Sequence, residues 1–308
     1  MVLERVQAVG LGEIRAPSRF GLAPVHRVHD EQFVQFLSSA WAEWAAAGNR
    51  GEAIPDCWPA RRMAQRVPTA ISGKLGYYAM AAETSISAGS WEAACAAADV
   101  ALTAADLLRR GARAAFALCR PPGHHAARDL YGGYCFLNNA AIAAQYLRDQ
   151  GARRVAILDV DFHHGNGSQD IFFDRADVLY ASLHGDPAEA FPYFSGYADE
   201  TGAGAGAGFN LNLPLPRATG FSSWSAALAT ALRRICDFAP DALVISLGVD
   251  TFDGDPISFF KLQSADFSAY GRMIGACKLP TLFVFEGGYA VADVGVNAVN
   301  VLTGFEGA

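Results

Sequence analysis

The 308-residue chain has no long apolar run, no basic run and no closely paired cysteines. Without about 18 consecutive apolar residues it offers no membrane-spanning helix. The opening Met1-Val-Leu-Glu-Arg-Val-Gln has too short an apolar stretch for a signal peptide. The six cysteines, Cys57, Cys95, Cys119, Cys135, Cys236 and Cys277, show no C-x-x-C spacing, and several sit in apolar runs. Reduced thiols in a cytoplasmic protein are therefore expected. Charged residues make up only 18% of the chain and the net charge is −7. The electrostatic footprint of a nucleic-acid binder is thus missing, and an acidic surface tolerates or attracts cationic substrates. What the chain does have is apolar content, 52%, enough for a sizeable core.

Its order is regular after an irregular start. Asp30 precedes a run whose apolar spacing suits a helix from Glu31 to near Gly48. The stretch from Asn49 to Leu75, with Pro55, Pro59 and Pro68, reads as a long surface loop. An alanine-rich helix opens at Ser90 and stops at Gly111. Strands are then expected at 114–119, 155–160, 178–183, 242–247 and 281–285, and helices at 138–150, 168–173, 221–238, 264–278 and 291–302. Such alternation predicts one α/β domain over residues 1–308, three layers with a mostly parallel central sheet covered by helices on both faces. Gly202-Ala-Gly-Ala-Gly-Ala-Gly reads as a mobile loop, too poor in side chains to pack.

In open α/β sheets, sites form outside the carboxyl ends of the strands. The residues following four expected strands are chemically alike. They are Arg120-Pro-Pro-Gly-His-His, Asp161-Phe-His-His-Gly-Asn, Gly248-Val-Asp-Thr-Phe-Asp and Glu286-Gly-Gly-Tyr. Asp161 and His163, two apart at a strand end, point to the same side; the alternative is a capping Asp beside a satisfied core His. With Asp250 they make three ligands for one divalent metal, leaving a position open for water and substrate. The tandem His124-His125 supplies acid–base chemistry. We assign Asp159 to orient His124, and Asn166 to orient His125 without adding charge. That makes His125 the base and His124 an electrostatic partner. Tyr289 is a candidate hydrogen-bond donor to an oxyanion, or an ordinary strand-end aromatic. Gly132, Gly133 and Tyr134 are candidates for one wall of a narrow tunnel and Phe191 for the other, although such an aromatic is as often packing.

These segments, together with Tyr131-Gly-Gly-Tyr-Cys-Phe-Leu-Asn-Asn and Ser182-Leu-His-Gly-Asp-Pro-Ala-Glu-Ala-Phe-Pro, resemble the arginase-deacetylase superfamily. In particular they are similar to bacterial acetylpolyamine amidohydrolases, relatives of the class II histone deacetylases. The resemblance covers nearly the whole chain. It implies one zinc ion on Asp161, His163 and Asp250, catalytic roles for His124, His125 and Tyr289, and supporting roles for Asp159 and Asn166. It also implies a structural potassium ion near Asp159, Asp161, His163, Ser182 and Leu183. Arginases proper use two manganese ions and more carboxylates, so a single zinc fits better.

Asp253-Gly-Asp-Pro-Ile-Ser-Phe-Phe-Lys-Leu looks like the polyamine branch. Glu83 matches an acidic residue at its cavity mouth, and equally reads as a solvated helix-edge carboxylate. A second acidic position of that mouth falls on Ser72, with Lys74 nearby. The relatives also carry one more strand before the segment that matches Met1, so a fold without that strand is expected. The expected activity is zinc-dependent hydrolysis of an acetylated primary amine, foremost an acetylpolyamine. The alternatives are an acetyl-lysine or other small acyl-amide deacetylase, and a weakly active or non-catalytic binding protein. The expected partner is a small acetylated amine, with no nucleic acid or membrane and with a homodimer left open.

Overall fold

The run Val155–Asp159 forms strand β2 and is buried along its whole length. A strand so placed needs partners on both edges and cover on both faces. The computed structural model describes residues 1–62 and 64–308. Among these, β1 (Ala114–Ala117), β2, β3 (Val178–Gly185), β4 (Asn210–Leu215), β5 (Ala242–Leu247) and β6 (Thr281–Phe285) form one sheet in the order β1-β6-β5-β2-β3-β4. Every pairing is parallel.

Because successive side chains alternate faces, the sheet divides the interior into two cores. Val155 and Ile157 join Val244 and Leu282 against α2 (Glu31–Ala46), α4 (Ser90–Arg109) and α5 (Asn139–Asp149). Ala156 and Leu158 join Leu179, Ile245 and Phe283 against α7 (Phe221–Phe238), α8 (Ser264–Gly275) and α9 (Val294–Glu306). Val2 and Val6 of α1 (Val2–Val9) belong to the second core. Each fully buried Val, Leu, Ile or Phe contributes about 1.5–3 kcal/mol, so both faces hold β2 and β5 in place. The result is the expected three-layer α/β domain.

Three segments depart from expectation. The end of the presumed loop at 49–75 is helical, since α3 spans Ile71–Tyr78 and buries Ile71, Leu75 and Tyr78. A short element with proline before it and two glycines within it has little helical signature of its own; packing decides it. The glycine-alanine run is not a loose tether. Ala203 N–H donates to the Phe173 carbonyl at 2.8 Å, and a Cβ on Gly206 would lie 2.3 Å from that same oxygen. Glycine is there because two backbones touch. The edge strand β4 was not expected. Its leucines, Leu211, Leu213 and Leu215, pack on the second core, but the opposite face is amide, with Asn210 and Asn212 donating to Gln169 Oε1 at 2.9 and 2.8 Å, and neither face is apolar and fully buried as in β2 and β5.

One side chain ties the loop after β1 to two helices. Asn138 caps α5 by accepting from Ala141 N–H at 2.9 Å. It also donates to the Ala126 carbonyl at 3.0 Å and to Ser168 Oγ, in α6 (Asn166–Phe172), at 3.1 Å. Asn138→Ala removes a cap worth about 1 kcal/mol and leaves buried acceptors unpaired at about 1–3 kcal/mol. Urea unfolding is expected to show a loss of about 2–4 kcal/mol.

Candidate active site

β2 and β5 are neighbours at the centre of the sheet, so the segments that leave their carboxyl ends are close. Asp161 and His163 follow β2, Asp250 follows β5, and one ligand atom from each lies within 4.8 Å of the others, all three residues being buried. His163 Nδ1 is 2.9 Å from Asp250 Oδ2 and 3.3 Å from Asp161 Oδ1. Backbone groups fix the carboxylates: Phe162 N–H donates to Asp250 Oδ1 at 2.8 Å and Gly287 N–H to Asp161 Oδ2 at 2.8 Å. Burial and the charge of Asp161 push Asp250 up to about 7. Burial also works against ionised Asp161, but His124 and His163 outweigh it and hold that carboxyl well below the usual range. No lysine or arginine among the described residues pairs with Asp159, Asp161 or Asp250; their ion pairs are all with histidine. Two buried carboxylates and an imidazole without a fixed cation are a donor set that fits a divalent metal.

The tandem histidines stand beside this set, their ring centroids 4.0 Å apart. His124 Nδ1 lies 3.0 Å from Asp159 Oδ2, an oxygen that also accepts from the Tyr180 hydroxyl at 3.1 Å. His125 Nδ1 lies 2.7 Å from Asn166 Oδ1. Burial disfavours both imidazolium forms. For His124 the carboxylates of Asp159 and Asp161 outweigh it and raise the pKa to about 10. For His125 burial is joined by repulsion from His124 and His163, and the pKa falls well below its ordinary value.

A cavity of about 320 Å³ opens over these groups. His125, His163 and Tyr289 reach it, Gly133, Tyr134 and Phe191 form walls, and Glu83 lies on its lining. The His125 and Phe191 rings meet edge to face, centroids 5.1 Å apart. Burial and the two aspartates keep the Tyr289 phenol protonated, its pKa well above the ordinary value, so it is a donor. Glu83 Oε1 accepts from Gly133 N–H at 2.8 Å. Ser72 does not line the cavity, and Lys74 is paired with Glu43 at 2.7 Å. Asp159, Ser182 and Leu183 are buried beneath the cavity rather than on its wall, with Asp159 in register with Ser182. A larger groove of about 660 Å³ runs along β1, but no imidazole lines it.

The histone deacetylase domain matches residues 1–305. This chain belongs to the histone deacetylase family. It is 59% identical over 307 residues to acetylpolyamine amidohydrolase 2 of Pseudomonas aeruginosa, covering 100% of this chain and 89% of that one. It is 56% identical over 306 residues to the acetylpolyamine amidohydrolase of Mycoplana ramosa, covering 99% and 90%. The crystal structure of the acetylpolyamine aminohydrolase from Burkholderia pseudomallei superposes with a TM-score of 0.93 at 42% identity, covering 98% of this chain and 88% of that one. The parallel sheet with helices on both faces is thus the fold of the histone deacetylase family.

Several residues of this candidate site escaped sequence reasoning. Ile257 and Phe259 line the cavity, and Glu286 Oε2 accepts from Gly123 and His124 N–H at 2.6 and 3.2 Å. Asp255 Oδ2 accepts from Tyr289 and Ala290 N–H at 2.7 and 3.2 Å. A signal existed for the two acids, since an acidic residue inside an apolar strand end or loop needs a buried partner. The partners are backbone amides, which a sequence does not display. Equilibrium dialysis with Zn2+ as the probe is expected to give one ion per chain and a melting temperature raised by about 5 °C at 100-fold excess over Kd. Asp250→Asn is expected to lower that affinity at least about 100-fold, because a ligand loses its charge.

Proposed function

We propose that the protein is a zinc-dependent amidohydrolase that releases acetate from an acetylated amine, foremost an acetylpolyamine. The observation that carries this reading is the buried Asp161, His163 and Asp250 set opening onto a cavity shared with His125 and Tyr289. The names of the relatives, acetylpolyamine amidohydrolases at 56–59% identity over nearly the full chain, support the substrate class. So does Glu83 on the lining, a carboxylate with no cationic partner among the described residues.

Asp161, His163 and Asp250 would hold the zinc, which would supply Lewis acidity and bring the pKa of water down to about 7. The protein's own groups do the rest. Neutral His125, aimed by Asn166 at 2.7 Å, takes the proton from the attacking water. His124, kept cationic by Asp159, stabilises the negative charge that develops beside it. The Tyr289 hydroxyl donates to the oxyanion. The proton taken by His125 is then delivered to the leaving amine nitrogen. Gly133, Tyr134 and Phe191 flank the acyl-bearing arm, and Glu83 attracts a distal ammonium group. The proposal includes a structural potassium ion near Asp159, Asp161, His163, Ser182 and Leu183, where the buried ends of β2 and β3 lie in register. The six unbonded cysteines suit a cytoplasmic setting.

Acetate release from N-acetylputrescine, N-acetylspermine and an acetyl-lysine peptide by zinc-loaded protein tests the reading; the polyamines are expected to give the higher kcat/KM. Tyr289→Phe is expected to lower kcat by about 10²–10³, and His125→Ala by at least about 10². A His125→Ala enzyme that keeps most of its activity while His124→Ala loses all of it would reverse the two roles.

A further inference from the structure

The phenol of Tyr289 can serve an oxyanion only if its backbone is held, and the turn that carries it cannot hold itself. Gly287 and Gly288 precede it. A Cβ on Gly287 would lie 2.7 and 2.8 Å from the carboxylate oxygens of Asp161 and Asp250. Gly288 has φ 147°, and a Cβ there would lie 2.6 Å from Val249 Cγ2. Side chains are excluded at both positions by these close approaches, and on the metal side Gly287 is tied by its N–H to Asp161 Oδ2 and by its carbonyl to Val249 N–H, each at 2.8 Å. Gly288, at positive φ, leaves the link onward to Tyr289 to be set by other contacts.

What fixes it from the far side is Asp255. One oxygen, Oδ2, accepts from both Tyr289 N–H at 2.7 Å and Ala290 N–H at 3.2 Å. The other, Oδ1, accepts from Ile257 N–H at 3.1 Å. The side chain is buried, and among the described residues no lysine, arginine or histidine forms an ion pair with it; its charge is met by three backbone donors. Ile257 lines the same cavity as Tyr289, so one carboxylate ties a substrate wall to the turn bearing the proposed donor.

We infer that Asp255 is a positioning residue for Tyr289, setting where its hydroxyl stands in the cavity through the paired N–H bonds of Tyr289 and Ala290. The inference rests on the reading of Tyr289 as the oxyanion donor. Asp255 touches no reacting atom. Asp255→Asn keeps the volume but turns one acceptor into an N–H donor, which must then face a backbone N–H. A shift of about 1 Å in a positioned group costs about 10²-fold in rate.

The test is a double-mutant cycle. Asp255→Asn and the smaller Asp255→Ser are each made with Tyr289 and with Tyr289→Phe, so that failure of one to fold leaves the other. Three quantities are read on zinc-loaded protein: kcat and KM for N-acetylputrescine, the affinity for acetohydroxamate, and zinc stoichiometry. With Tyr289 present, the Asp255 change is expected to lower kcat by about 10-fold or more, with KM within about twofold, and to weaken acetohydroxamate by about 10-fold. In the Tyr289→Phe background both losses are expected to shrink below about twofold, with one zinc per chain throughout. Equal losses in both backgrounds, or no loss with Tyr289 present, would overturn the inference. If the wild-type protein fails to hydrolyse N-acetylputrescine, the proposed substrate falls while the acetohydroxamate cycle still decides the role of Asp255.

Discussion

Two carboxylates that repel each other are held, buried, against one imidazole at the floor of a cavity. Asp161 and Asp250 offer oxygens within 4.8 Å of each other and of a His163 nitrogen, and like charges about 5 Å apart at an effective dielectric near 20 repel by about 3 kcal/mol. His163 Nδ1, 2.9 and 3.3 Å from the two carboxylates, offsets part of that repulsion, the aspartates pushing its pKa up to about 9 against burial. The arrangement persists because each carboxylate is anchored by a backbone N–H and because the segments leave adjacent central strands packed on both faces. A three-layer sheet is what makes so unfavourable a cluster affordable, and a divalent cation is the natural answer to its charge.

The difference between the two histidines follows from the same charge balance. Both are buried and only 4.0 Å apart, so two imidazolium rings would repel strongly. Asp159 faces one and Asn166 the other. An amide holds a ring in place without stabilising its cation, whereas a carboxylate does both. A second carboxylate at position 166 would lift the pKa of His125 toward that of His124 and leave no neutral imidazole to accept a proton. The uncharged residue is thus as necessary to a base as the charged one is to its neighbour.

Much of this was legible in the chain because it is local. Val155–Asp159, Ala242–Leu247 and Thr281–Phe285 are mostly apolar runs, and their boundaries are read almost to the residue. The polar residues that follow them stand out against the apolar background. The rest is set by contacts distant in sequence. α3 depends on the packing of Leu75 and Tyr78, and β4 turns amides inward because Gln169, some 40 residues away, receives them. The Gly202–Gly208 segment looks featureless, yet its lack of side chains is what lets it close on the turn after α6. Asp255 lay in a segment read only for its likeness to the polyamine branch, since nothing local tells that its oxygens meet Tyr289 and Ala290.

The surroundings of the cavity also bear on what can discriminate one acylated amine from another. Lys74, which in sequence counts against a polycation, is neutralised by Glu43 at 2.7 Å. Glu189, an acid on the cavity lining, is likewise engaged by Arg217 at 2.9 Å, and that guanidinium stacks on Phe259 at 4.4 Å. Glu83 is left as the lining carboxylate with no cationic partner among the described residues, but it is exposed, and an exposed charge pair is worth only about 0–1 kcal/mol. That is at most about a fivefold preference. Selection sharper than that must come from the walls of the cavity, where Tyr134, Phe191, Ile257 and Phe259 decide which chain fits behind an acetyl group. Charge at the mouth then steers amines toward the site, and the aromatic and aliphatic lining chooses among them.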